Sequence, residues 1–244
     1  MMPETTTLSP EQIAAAAKSL GIALTPEQSQ AYAAYYDAVI ERNRVMNLTS
    51  ITEPQEFLAK HYIDSWLGYD PAYFPARSRA LDLGTGGGFP GIPLAILTPN
   101  VEWTLLDSVG KKLRFVADAA QTIGLANVQI LHERAEFAGQ AKEYREQFAV
   151  VTSRAVADLR VLCEWALPFV ARGGYFLAWK GPKGAEEASA AQRAIRELGG
   201  TLCEVRKLQR DEWFDERVLC IIQKVQATPK RFPRAPGKAV KQPL

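Results

Sequence analysis

Apolar residues recur first at helical spacing and later in short runs set between helices, and the change of pattern falls near Arg79. In the N-terminal third, Tyr32, Tyr35, Tyr36, Val39 and Ile40 repeat every three or four positions, which places them on one helical face. We read that aromatic stripe as a packing face rather than a ligand surface. Ser9-Pro-Glu-Gln12, Thr25-Pro-Glu-Gln28 and Thr52-Glu-Pro-Gln55 each match a capping box, in which a hydroxyl and a glutamine satisfy two free N–H groups reciprocally. They predict helices over about Pro10–Leu20, Pro26–Arg44 and Glu53–Leu67. In the first two, proline takes the first helical position, where its missing N–H costs nothing. Asn47-Leu-Thr-Ser-Ile51 reads as a short turn with exposed polar groups.

From Arg79 onward, strands near Ala80–Leu83, Val101–Asp107, Val128–His132, Ala149–Ser153 and Tyr175–Trp179 alternate with helices near Pro90–Leu97, Lys111–Ile123, Val156–Val170 and Ala185–Leu198. Such alternation predicts an α/β fold with a mostly parallel sheet covered on both faces. Thr201–Gln209 and Arg217–Val225 are two further strand-like runs. Their link, Arg210–Glu216, is too short for a crossover helix, so the seven-stranded sheet should end in an antiparallel hairpin. The expected division is an N-terminal helical extension (1–70), a cofactor-binding α/β domain (71–225) and a basic, proline-rich C-terminal arm (226–244).

The segment most open to chemistry is Arg79-Ala-Leu-Asp-Leu-Gly84-Thr-Gly86-Gly-Gly88-Phe89-Pro-Gly-Ile-Pro93, a strand running into a glycine loop and then a helix. Without Cβ atoms, Gly84 and Gly86 let a cofactor lie against the main chain. An acid about twenty positions on, at the end of the second strand, is placed to hold ribose hydroxyls, and Asp107 supplies it. A dinucleotide loop needs its third glycine where this chain has Phe89. Here it comes one position early, at Gly88, which favours S-adenosylmethionine over a nicotinamide cofactor. The terminal hairpin points the same way.

With 244 residues, 47% of them hydrophobic, the chain can bury a full core. Cys163, Cys203 and Cys220 lack C-x-x-C spacing and read as small apolar residues, while two histidines make a metal site improbable. No segment resembles a signal peptide or a membrane span, so a cytoplasmic location and no membrane partner are expected. The net charge of +2 hides an asymmetry. Lys224, Lys230, Arg231, Arg234, Lys238 and Lys241 stand in a stretch without acids, leaving −4 on residues 1–223. Four prolines stiffen that stretch. It reads as a semi-rigid arm able to neutralise phosphates, with Phe232 available to stack on a base. Lys111 and Lys112 open a helix, where the dipole disfavours cations, and read equally as phosphate ligands or as a solvated pair.

These residues resemble the bacterial small-subunit ribosomal RNA guanine-N7 methyltransferase family, also called the glucose-inhibited division protein B or RsmG family. The likeness is carried by Asn47–Ile51, His61-Tyr-Ile-Asp64-Ser65, Asp82–Leu94, Leu105-Leu-Asp-Ser108 with Lys111-Lys112, Val151-Thr-Ser-Arg-Ala155, Lys180-Gly181, and Arg231-Phe-Pro-Arg-Ala-Pro-Gly237 with Pro243-Leu244. The chain departs from the family at Glu216-Arg217-Val218-Leu219, where members often carry a histidine, and at Lys238-Ala239, where a second proline commonly sits.

The resemblance implies a Rossmann-like methyltransferase fold with S-adenosylmethionine as cofactor and 16S ribosomal RNA or the small subunit as partner. It also implies cofactor contacts from Gly84, Gly86, Phe89, Asp107, Ala135, Glu136 and Arg154, with Phe89 beside the methionine moiety and Ala135-Glu136 at the adenine. Lys180, Lys230, Arg231, Arg234 and Lys238 would meet RNA. A monomer without metal is expected. Guanine N7 has a free lone pair and loses no proton on methylation, so no general base is required and no catalytic residue is assigned. His61 and Asp64, three apart on a helix, read as structural. Methylation of another RNA or a small molecule, a binding module without catalysis, and a nicotinamide oxidoreductase are the competing readings.

Overall fold

The computed structural model describes residues 7–154, 156–208 and 216–244. Helices α1 (Pro10–Lys18) and α2 (Pro26–Asn43) begin at Ser9 and Thr25, and both capping boxes are formed in full. The third helix differs from its expectation. Glu53, not Thr52, caps α3 (Pro54–Phe57), and the chain passes through a π-helical stretch, Leu58–Ile63, into α4 (Asp64–Trp66). Proline at 54 explains the shift, because its ring suits the first helical position and puts the cap one residue before it.

The α/β portion runs β1 (Arg79–Leu83), α5 (Gly91–Leu97), β2 (Glu102–Asp107), α6 (Gly110–Thr122), β3 (Val128–His132), α7 (Ala135–Ala138), β4 (Phe148–Arg154), α8 (Leu159–Ala166), β5 (Val170–Lys180), α9 (Gly184–Glu197), β6 (Gly200–Leu208) and β7 (Arg217–Lys224). The sheet order is β3-β2-β1-β4-β5-β7-β6. β1 to β5 are parallel, and β7 lies antiparallel between β5 and β6. Gln209 of the expected strand and residues 210–215 of the expected link lie outside the described residues. α8 is shorter than expected because Asp158 caps its start and Pro168 follows its end.

Alternation along each strand divides the core in two. Ala80, Trp103, Leu105, Val150, Leu177, Leu219 and Ile221 pack with α1, α2, α5 and α6 on one face. Leu81, Leu106, Val151, Phe176, Cys220 and Ile222 pack with α8 and α9 on the other. The aromatic stripe of α2 is buried in the first core, and each tyrosine finds a carbonyl for its hydroxyl: Tyr32 with Pro93, Tyr35 with Gly87 and Tyr36 with Thr52. The N-terminal helices thus share a core with the sheet.

The basic, proline-rich arm expected over 226–244 is packed against the rest of the fold. The segment folds back onto α7, α8 and the loop before β4, and carries a short helix, α10 (Lys238–Lys241). Prolines remove N–H donors but leave carbonyls needing partners. Arg145 supplies them, donating from Nη1 to the Phe232 carbonyl at 2.8 Å and from Nη2 to that of Thr228 at 2.8 Å. Phe232 is buried in the second core, so its ring has no face left for a base. Lys224, counted with the basic stretch, belongs to β7 and is fully buried. Its ammonium meets Glu146 at 3.0 Å, the Leu167 carbonyl at 2.6 Å and Thr228 Oγ1 at 2.8 Å.

Candidate active site

Ligands of open parallel sheets bind beyond the strand carboxyl ends, where the strand order reverses. Here that point lies between β1 and β4. The loop after β1 is held from several sides. Gly84 and Thr85 donate to the Leu106 carbonyl at 2.8 and 3.1 Å, and Gly86 donates to Asp107 Oδ2 at 2.8 Å. Tyr35 donates its hydroxyl to the Gly87 carbonyl at 2.7 Å. Gly84, Gly86 and Gly88 all have positive φ (70°, 57° and 90°), which L side chains rarely adopt. Beneath the loop, the fully buried Asp82 accepts from Thr152 Oγ1 and from the Gly91 N–H. Burial pushes its carboxyl up to about 6, against the opposing effect of those hydrogen bonds.

Beside this loop opens a cavity of about 280 Å³, lined by Gly84, Gly86, Asp107, Lys112, Ala135, Glu136 and Arg154 among others. Six of the seven expected cofactor residues therefore converge. Phe89 does not line the cavity. Its ring turns to the N-terminal layer and stacks on His61 at 4.2 Å. Asp107 ends β2, accepting from Gly86 with one oxygen and from Val109 with the other. Each oxygen keeps a lone pair, so the carboxylate can still accept from a diol. Glu136 is buried rather than solvent-facing, and its Oε1 accepts from Arg134 and from the Gly237 N–H. Sequence reasoning missed Ser108, Glu133, Arg134 and Trp165, which also line the cavity. The first three follow β2 and β3 directly, a signal that could have been read. Trp165 arrives from α8 by tertiary packing alone, and its indole N–H has no partner among the described residues.

Arg154 ends β4 at the cavity edge, but its guanidinium is engaged from the N-terminal layer. Nη1 donates to Asp64 Oδ2 and to the Lys60 carbonyl, both at 2.9 Å, and Nη2 donates to His61 Nδ1 at 2.9 Å. Arginine can only donate, so Nδ1 is unprotonated and Nε2 carries the proton toward Thr49 Oγ1. Burial, followed by the charges of Arg154 and Arg217, pushes the His61 ring down to about 2. His61 is thus a neutral link between Arg154 and Thr49.

Two of the expected RNA contacts are paired within the fold. Lys180 is buried, bonded to Glu187 at 2.7 Å and to the Ala157 carbonyl. Arg234 embraces the buried Glu164 through Nε at 2.9 and 3.0 Å and through Nη2. Both cations are spent within the fold. Lys230, Arg231 and Lys238 are exposed, although Arg231 pairs with Glu197 at 2.9 Å. Among the described residues no cluster of histidine, cysteine or carboxylates is placed to hold a metal, and no helix is long and apolar enough to cross a membrane.

A glycine loop and a strand-end acid at the switch point of a sheet whose β7 runs antiparallel define the S-adenosylmethionine-dependent methyltransferase class. Solved structures agree on the fold. A variant of the 16S rRNA (adenine(1408)-N(1))-methyltransferase from Catenulisporales acidiphilia, with cosubstrate SAM, matches with a TM-score of 0.54 at 14% identity, covering 68% of this chain and 93% of that one. Precorrin-6y C5,15-methyltransferase from Geobacter metallireducens matches at 0.51 and 14%, covering 74% and 91%. The chain belongs to the family of rRNA small subunit methyltransferase G (GidB), whose model matches residues 28–218. Ribosomal RNA small subunit methyltransferase G of Desulforamulus reducens is 44% identical over 94% of this chain and 95% of its own length. That of Lactobacillus johnsonii is 41% identical over 97% and 100%.

Proposed function

We propose that this protein transfers the methyl group of S-adenosylmethionine to N7 of a guanine in 16S ribosomal RNA, acting as a cytoplasmic monomer without metal. The observation that carries the reading is Asp107, which ends β2 with spare acceptor capacity on both oxygens and ties down Gly86 at the cavity mouth. The chain's membership of a ribosomal RNA methyltransferase family supplies the substrate class. Gly84, Gly86, Asp107, Ala135, Glu136 and Arg154 would hold the cofactor, within residues 71–225. Bound there, S-adenosylmethionine supplies an activated methyl group and a neutral leaving sulfide.

The protein's own contribution is orientation. N7 attacks with its lone pair and releases no proton, so no base is needed, and His61, beside Arg154, has both ring nitrogens committed. Asp64 and the Lys60 carbonyl hold Arg154 at the edge of the reacting centre, its Cζ 5.4 Å from the centroid of the Phe89 ring. The guanine must leave its stack to reach the cavity, which requires a loop or a flipped base. Lys230, Arg231 and Lys238 would meet phosphates. The Arg231–Glu197 pair is exposed and costs little to exchange.

Incubation with methyl-tritiated S-adenosylmethionine and 16S RNA or small subunits tests the reading, followed by borohydride–aniline cleavage. Label in RNA with scission at a single guanine is expected. Label confined to small molecules, or RNA labelled without scission, overturns the assignment.

A further inference from the structure

The C-terminal segment, expected to contact RNA, meets two residues of the cavity wall or beside it. The Gly237 N–H donates to Glu136 Oε1 at 3.2 Å, and Arg134 Nη2 reaches the same oxygen at 3.3 Å. Glu136 is only 5% exposed and lines the cavity, yet its Oε2 has no hydrogen-bond partner among the described residues. Three residues earlier, the Arg234 main chain and guanidinium both bond Glu164, which is 1% exposed and adjoins the cavity residue Trp165. Arg234 also donates to the Gln242 carbonyl, closing the turn around α10. A buried carboxylate fixed through one oxygen presents the other in a set direction. An acceptor so fixed selects a donor.

We propose that the segment from Thr228 to Leu244 is a positioning element of the cofactor site: Gly237, held in place by the Arg234–Glu164 pair, orients Glu136 to read the amino group of the adenine. This rests on the reading of the cavity as the S-adenosylmethionine site. Gly237 and Arg234 touch no cofactor atom themselves and act through Glu136. The chemistry makes a sharp distinction. A carboxylate accepts from an amine but repels the carbonyl oxygen that replaces it in hypoxanthine. The nucleoside preference, more than the overall affinity, therefore reports on this link.

Calorimetric titration of the full chain with S-adenosylhomocysteine and with S-inosylhomocysteine tests the proposal. The wild type should favour the adenosyl compound by roughly tenfold to a hundredfold, the range of one hydrogen bond to a charged group. Arg234→Ala should reduce that preference to about twofold or less. Arg234→Lys, which retains the cation and the main-chain bond, should restore part of it. Gly237→Ala is the gentler perturbation. No atom lies within 4 Å of an added Cβ, and only the positive φ of 76° is strained, so the protein stays folded while its N–H is pulled off line. It should lose preference in the same sense. A general loosening of structure would lower both affinities equally and leave their ratio unchanged, and that result overturns the proposal. A wild type that binds both compounds alike also overturns it while leaving the cofactor site standing. A wild type that binds neither defeats the reading of the site and the proposal with it.

Discussion

Replacing Gly88 with alanine should cripple the fold, whereas the same change at Gly87 should pass almost unnoticed. At Gly88, φ is 90°, and a new Cβ would stand 2.1 Å from the Tyr35 hydroxyl and 2.9 Å from Ile92 Cγ1. The backbone strain costs about 1–2 kcal/mol. Overpacking against Ile92 and the tyrosine ring adds about 1–3 kcal/mol. Tyr35 cannot yield freely, because it is fully buried and donates to the Gly87 carbonyl at 2.7 Å. Displacing it strands a polar group at a further 1–3 kcal/mol or so. Allowing for overlap among these effects, a loss of about 3–6 kcal/mol is a large part of the 5–15 kcal/mol typical of a domain. At Gly87 the nearest atoms to a new Cβ are 3.7 Å away, which is ordinary contact, and the φ is not positive. The expected cost there is below about 1 kcal/mol. Urea and thermal unfolding of both variants beside the wild type measure the difference. At this chain length Gly88→Ala should lower Tm by roughly 10 °C, at about 2–4 °C per kcal/mol. Equal midpoints for the two variants, or a worse Gly87→Ala, would refute the reasoning.

Two further outcomes follow from buried carboxylates. Asp82 holds its proton more tightly in the folded state, at about 6 against 3.8. The stability it contributes is complete below about pH 3.8 and is lost as pH rises through 6, by roughly 3 kcal/mol in all. Asp82→Asn should therefore gain on the wild type by about that amount between pH 4 and 7 in paired urea melts, and a constant difference across this window would show the linkage to be absent. Asp64 is buried against Arg154. Asp64→Asn should cost roughly 3 kcal/mol by leaving that guanidinium short of a counter-charge. A Tm within a degree of the wild type would contradict this.

Much of the architecture was legible because it is local. The capping boxes at Ser9 and Thr25, the alternation of runs after Arg79 and the acid at 107 each state their structure within a few residues. Asp107 and the glycine loop met in space because adjacent parallel strands β1 and β2 bring their carboxyl ends together. What failed to show was long-range pairing. Nothing near Lys180 says that Glu187 and the Ala157 carbonyl will take its charge, nor near Arg234 that Glu164, seventy positions away, will embrace it. Composition counts such cations as surface charge. Phe89 was read from its motif neighbours, but its direction is decided by His61 on a π-helical turn that carries no period of its own. The tail looked extended because prolines deny it internal hydrogen bonds. Arg145, which provides those bonds from outside, gives no warning in sequence.

The position of β7 bears on how the molecule is made. Synthesis delivers β6 before β7, yet β6 pairs with β7 alone, and the outer side of β5 waits for the same strand. A nascent polypeptide that has emerged as far as Leu208 therefore leaves the outer side of β5 and the β7-facing side of β6 unpaired, each a template for unwanted partners. Arrival of residues 217–224 seals both at once, so translation that halts between them would leave a sticky, unfinished product rather than a merely shortened one.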